Sequence, residues 1–450
     1  MERTELISNC LVGAAAMEEV EGGVPRIHRV ELTPWDLKSL LLDYIQKGLI
    51  FPSPKSSSSF IDHLRASLSS TLHFFLPLAG RLSVTKNDDG TTSVFINCNN
   101  KGAEFAVANA AGVTLAQILE PTIVPRIVHS LFPFNGISNI DGVSYPLLGV
   151  QVTELADGYF IGCAMNHSVA DASSFWHFFN SWAEISRGFR KPSIPPVLHP
   201  WFPENMIATG PLRLRLDLDE EEKPLSNSFK PQPFQERVFH FSQESIGKLK
   251  LEANSEMGFS TKDSKISSLQ SYVAHLWRAI TRSRRVNAAE EVFIYVPIGT
   301  RWRMDPPLPE GYWGNAIYSK MVRVKAGDLL ERGLGWAAWQ IHQVVAGQKH
   351  EEAVEFYENW VRSPAVARKE TLFCTNFLGI ASSPRNDVYG TDFGWGKPVA
   401  VRCGMDNKAD GKFSLFPGVE EGSVDIEVCL LPQTLLALGN DEEFMAFVTT

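Results

Sequence analysis

Apolar residues recur along this chain at two spacings, and the places where one gives way to the other mark its elements. Phe175, Phe178-Phe179, Trp182 and Ile185 recur at helical spacing and predict a helix over Ala172–Ser186. The apolar run Gly158–Met165 just before it reads as a buried strand, so Asn166-His167 falls where strand hands over to helix. Ser93–Asn97 and Gly149–Leu155 read as further strands. Ser59–Phe75 reads as an amphipathic helix stopped by Pro77, and Trp35–Lys47 as a helix started by Thr33-Pro34. In the second half, Lys265–Arg284 carries Leu269, Val273, Leu276 and Ile280 on one helical face. Glu291–Pro297 and Val424–Leu430 read as strands; Gly333–Ala346, Glu351–Val361 and Leu435–Phe447 read as helices. Both element types occur in both halves without regular alternation, which predicts a mixed α/β (α+β) fold.

The 450 residues exceed one ordinary hydrophobic core. Prolines crowd the stretch from Pro192 to Pro233, around the acidic run Asp217–Glu222. Such density sustains neither helix nor central strand, so the stretch reads as a connection. The expected organisation is two similar-sized lobes, residues 1–195 and 234–450, joined by a crossover over 196–233.

Composition narrows the partners. A formal charge of −9 argues against nucleic acid or an anionic membrane surface, since both reward excess Lys and Arg. No stretch approaches the roughly 18 apolar residues of a spanning helix, and Met1–Met17 lacks a basic leader followed by a sustained apolar run. The six cysteines are scattered without a CxxC pair, which speaks for reduced thiols rather than a disulfide framework or zinc cluster. A cytoplasmic monomer without bound metal is the expectation.

Two motifs stand out. His167-Ser-Val-Ala-Asp171 is the one place where any of the 11 histidines has Asp four positions on. A neutral imidazole suits the removal of a proton from an alcohol or amine as it attacks, because its pKa lies near working pH. The same residues equally describe a satisfied core histidine and a helix-capping aspartate. Asp392-Phe393-Gly394-Trp395-Gly396 reads as a tight turn where backbone approaches something closely. It is no P-loop, because Pro398 follows Lys397, and no dinucleotide fingerprint, because a third glycine is missing. GxSxG and HExxH are absent from the sequence. Cys163 and His177 read as packing residues.

The pairing of the two motifs, some 225 residues apart, resembles the plant BAHD acyltransferases. Leu32-Thr-Pro-Trp-Asp-Leu37, Leu76-Pro-Leu-Ala-Gly-Arg81 and Pro306-Pro-Leu-Pro-Glu-Gly-Tyr-Trp-Gly-Asn315 resemble further segments of that family, in the right order. The stretch Phe175–Trp182 is similar to a clade of uncharacterised acetyltransferases. This resemblance implies a fold like chloramphenicol acetyltransferase, two lobes with an active-site channel between them. It implies acyl-CoA as co-substrate, a small-molecule acceptor, no permanently bound cofactor, and direct transfer in a ternary complex with His167 as base. It further implies Thr375 as oxyanion donor and Asp171 as a structural partner of an arginine, for which Arg301 is the candidate. Asp392, Gly394, Trp395 and Gly396 would form a structural turn; Ser267 and Ser268 would touch coenzyme A; Trp35 would wall the acceptor pocket. The residue after Asp171 is Ala172 where the family has Gly, and Thr375-Asn376-Phe377 departs from its usual Thr-Ser-Trp. A coenzyme-A-independent lyase using the same base, and a non-catalytic binding protein, remain open on these residues.

Overall fold

A computed structural model describes residues 4–16, 27–53, 60–204, 211–215, 233–368 and 376–449. Two six-stranded sheets organise it. Across the first run Glu5–Val12, Ala103–Ala110, Leu148–Leu155, Gly158–Met165, Ile45–Pro52 and Ala400–Cys403. Across the second run Ile317–Lys325, Glu291–Gly299, Phe377–Ala381, Lys412–Pro417, Val424–Leu430 and Gln235–Phe241. A three-stranded sheet of Arg29–Glu31, Thr92–Asn97 and Arg81–Lys86 completes the first half. Both large sheets are mixed. Ala103–Ala110 pairs parallel with Leu148–Leu155, and Glu291–Gly299 pairs parallel with Phe377–Ala381.

Each large sheet has its own hydrophobic core. In the first, the helices Phe60–Phe74 and Ala172–Ser186 pack on one another through Leu64, Leu68, Phe178 and Trp182. In the second, the helix Ser268–Ser283 is buried along almost its whole length, with Val273, Leu276 and Ile280 inside. The halves are not cut cleanly at the proline-rich stretch. Ala400–Cys403 pairs antiparallel with Ile45–Pro52 as an edge of the first sheet. Val388, Phe393, Val401 and Cys403 belong to the first core, whereas Trp35, from the first half, belongs to the second.

Two predicted helices are corrected. Over Trp35–Lys47 only Pro34–Leu37 is helical, and a strand begins at Ile45. Apolar Leu37, Leu40, Leu41 and Tyr44 mimic helical spacing, but the chain is extended beyond them, where Gly48 lies against the Phe160 ring, 2.3 Å from where a Cβ would sit. The closing helix breaks into Pro432–Gly439 and Glu442–Met445. Asp441 ends one and caps the next by accepting from the Phe444 N–H.

Candidate active site

His167 follows a strand whose eight residues are all buried. Gly162 lets that strand approach the Leu131 carbonyl, which lies 2.2 Å from where a Cβ would sit. The main chain at His167 is held at both ends. Its N–H donates to Asn139 Oδ1 (2.6 Å), and its carbonyl accepts from Asn315 Nδ2 (2.8 Å). Asn139 is fully buried, donates to the Ser39 carbonyl and receives Asn166 Nδ2 on its own carbonyl. The imidazole is therefore mounted on a fixed frame; the residue as a whole is half-buried, while its Nδ1 is shut off from solvent.

Burial pushes the His167 imidazole down to about 4. Its own main-chain carbonyl and Asp171 oppose that shift, while Lys38 and Lys412 add to it. The ring is neutral at neutral pH and ready to accept a proton.

Asp171 is the N-cap of the helix Ala172–Ser186, accepting from the Ser174 N–H (3.0 Å). Arg301 reaches it in a fork, Nη1 to Oδ2 at 2.6 Å and Nη2 to Oδ1 at 3.0 Å, and the Ala316 N–H donates to Oδ2 at 3.0 Å. Burial raises the carboxyl, yet Arg301 and these donors hold it below the usual value. Both oxygens are occupied, so Asp171 is not the orienting acid of a triad. Ala172 simply opens the helix, which needs no glycine there.

A second carboxylate, Asp36, sits beside this pair. Its Oδ2 accepts from the N–H and hydroxyl of Thr33 (2.8 and 2.7 Å), and its Oδ1 from the N–H and side chain of Asn315 (3.0 and 2.9 Å). Burial still pushes its carboxyl up. Three stretches distant in sequence, around residues 33–36, 166–174 and 312–316, are thus tied into one knot. A cavity of about 20 Å³ beside it, lined by Leu32, Asp36, Val169, Leu198, Tyr312 and Gly314, has room for one water but not for an acceptor.

The other predicted residues lie elsewhere. Asp392 Oδ1 accepts from the N–H of Gly394 and of Gly396 (2.8 and 3.0 Å), both glycines at positive φ (112° and 123°). Phe393 wedges against Trp182 and Trp395 against Phe60 (ring centroids 4.7 and 4.3 Å). Arg187 donates to the Asp392 carbonyl. The turn is bolted to the first core. Ser267 caps the helix Ser268–Ser283 with Gln270, at the surface. Trp35 is fully buried, stacked on Trp201 and edge-on to Tyr357, with no open face. Thr375 lies outside the described residues.

Cys163 is buried, which pushes its thiol up, and His177 is held by the Ile194 carbonyl at 2.7 Å. Asn139 carries no sequence signal. Asp36 and Asn315 stand inside segments that the resemblance marks, without roles there. Among the described residues no group of His, Cys, Asp or Glu is placed to hold a metal ion, and no helix is long and apolar enough to cross a membrane.

The chain is similar to known proteins over nearly its whole length. The sequence profile of the Transferase family matches residues 24–445. An uncharacterised acetyltransferase of Arabidopsis thaliana is 41% identical over 422 residues, covering 93% of this chain and 94% of that one. The BAHD acyltransferase DCR, also of Arabidopsis thaliana, is 33% identical over 435 residues, covering 92% and 88%. Among solved structures, TRI101 of F. graminearum, complexed with coenzyme A and deoxynivalenol, superposes with a TM-score of 0.72 at 14% identity, covering 94% and 99%. With its two mixed sheets, its pinned histidine and these relatives, the chain belongs to the BAHD acyltransferases of the Transferase family.

Proposed function

We propose that the protein transfers an acyl group from an acyl-CoA thioester to the hydroxyl or amine of a small acceptor, with His167 as general base. The observation that carries this is a neutral imidazole fixed through its main chain, beside a carboxylate that cannot accept its proton because every oxygen is engaged. Such a ring takes a proton from the acceptor as the oxygen or nitrogen attacks the thioester carbonyl. The imidazolium then returns it to the departing thiolate. No acyl-enzyme is needed, and Cys163, its thiol pushed up by burial, would be a poor nucleophile. Thr375 is the proposed donor to the oxyanion, a contact worth about 3 kcal/mol where it has been removed from other enzymes. Ser267 and Ser268, at a helix amino terminus, are proposed to meet coenzyme A. A monomer in the cytoplasm fits the acidic sequence and the scattered thiols.

Titration with acetyl-CoA, benzoyl-CoA and p-coumaroyl-CoA, then thiol release with pooled acceptors, tests the reading. One acyl-CoA should bind, and His167→Ala should lower kcat by about 10²–10⁴-fold with that binding intact. No binding of any acyl-CoA would sink it in favour of the lyase.

A further inference from the structure

Where the edge of the first sheet meets strands of the second, a lysine lies against a thiol. Lys47 on Ile45–Pro52 is paired in register with Cys403 on Ala400–Cys403 to one side and with Cys163 on Gly158–Met165 to the other. Residues directly opposed on antiparallel strands point to one face, here that of the first core, to which both cysteines belong. All three residues are buried. The Lys47 amine donates to the Cys403 thiol at 2.9 Å and to the Ser414 hydroxyl at 3.3 Å, over the Phe416 ring. The thiol donates to Ser414 Oγ at 3.3 Å. Lys408 and Lys412 are close enough for the three charges to be felt together, a layer of lysines between the sheets. Its two acids are both taken by Lys408, Glu427 at 2.6 Å and Glu236 at 3.5 Å.

Nitrogen and sulfur are held in this contact from both sides. The Cys403 N–H donates to Glu427 at 3.1 Å, and Lys47 is fixed by a paired strand on either flank. Because Lys408 is committed to two carboxylates, Lys47 is the amine that faces the sulfur. Cys163 is no rival for it: it lies two strands from Cys403, about 10 Å away and beyond disulfide reach. Burial and Glu427 push the Cys403 thiol up, while Lys47 and Lys408 hold it back. Such a thiol meets an oxidant slowly. Once oxidised, it has a nitrogen nucleophile at its side.

We propose that Cys403 and Lys47 are a modification site, joined by a reversible sulfur–nitrogen bridge when a hydroperoxide oxidises the thiol. In the first step the sulfur attacks the peroxide. The O–O bond breaks, an S–O bond forms, and the hydroxide released leaves with the thiol proton as water. The sulfur, now a sulfenic acid, has lost two electrons to the peroxide. In the second step the Lys47 nitrogen attacks that sulfur, the S–O bond breaks, and hydroxide leaves with an amine proton as a second water. The product is a sulfenamide, which an external dithiol reduces back to thiol and amine. The bridge joins residues 356 positions apart and fixes the edge strand to its neighbour. It also removes one positive charge from the lysine layer. None of this rests on the acyl-transfer reading.

The test is peptide mapping by mass spectrometry of the full-length protein after hours in hydrogen peroxide at mildly alkaline pH. Catalase stops the reaction, and iodoacetamide blocks the remaining thiols. The peptide carrying Lys47 should be found joined to the one carrying Cys403, two hydrogens lighter than their sum. Dithiothreitol added before the block should separate them and return Cys403 to the alkylated form. C403S and K47M should each lack the joined species. The urea midpoint of the wild-type protein should rise on oxidation and fall back on reduction, and that of C403S should show no such reversible rise. The half-buried Cys10 and Cys98 report that peroxide has acted. With those two oxidised, a Cys403 that is unreacted, carries oxygen without a link, or is joined to another cysteine overturns the proposal. Should K47M fail to fold, the wild-type map and its reversal by dithiothreitol decide alone.

Discussion

Two buried polar clusters tie the halves of the chain together, and they close their accounts differently. In the knot, Asp171 and Asp36 each accept four hydrogen bonds, and Arg301 lies in a fork on one of them. No carboxylate oxygen is left over, although Asn315 Oδ1 is buried there without a partner among the described residues. In the lysine layer, Lys408 satisfies both acids, and among the described residues Lys412 has no hydrogen-bond or ion-pair partner. A cluster whose carboxylates are all engaged holds the chain in place; one with a cation over is tied less fully. Burial alone does not tell them apart, since Asp171 and Lys47 are both buried. The difference shows only when each donor and acceptor is assigned a partner.

Breaking the closed cluster should cost most. Arg301→Met leaves Asp171 buried without its cation and should lower unfolding free energy by about 3–5 kcal/mol, read by urea denaturation. A loss under about 1 kcal/mol would mean that Asp171 protonates and the knot is dispensable. Asn315→Ala is milder. It strips Asp36 Oδ1 of one side-chain donor and frees the His167 carbonyl, so stability should fall by about 1–3 kcal/mol. Here kcat should fall with KM for acyl-CoA unchanged, because the base is displaced and the donor site is not; a pure KM effect would contradict the placement of Asn315. The gentlest probe is pH. To act as the proposed base His167 must be unprotonated, and burial lowers it to about 4, so activity should be level from neutral pH down to about 5 and fall as pH drops through about 4. A limb near the ordinary histidine value of about 6.5 would show that water reaches the ring freely in the working enzyme.

Much of the fold was legible because long apolar patterns are local. Ala172–Ser186, Gly333–Ala346 and Val424–Leu430 are found where their spacing predicts them. The segment after Trp35 misled because helical spacing over Leu37, Leu40, Leu41 and Tyr44 competes with the packing of Gly48 on Phe160, a contact more than a hundred residues away. At the site, the position of His167 at a strand end followed from Gly158–Met165. The pairing of Asp171 with Arg301 spans 130 residues and came only from resemblance. Asn139 and, away from the site, Lys47 gave no sign at all. An asparagine in a short turn and a lysine in a strand are ordinary until the fold brings partners to them.

The strand Ala400–Cys403 has a consequence for how substrates come and go. Because a piece of the second half completes the first sheet, the halves cannot swing apart like a hinge without peeling that strand from Ile45–Pro52 and exposing Val401 and Cys403. Traffic to His167 must pass through shifts of loops and side chains in a frame that stays shut. Turnover would then be paced by such local breathing, on microseconds to milliseconds, and not by a domain opening. The same stitch means that neither half is a free-standing piece: each, expressed alone, would lack a part of its own core that the other supplies.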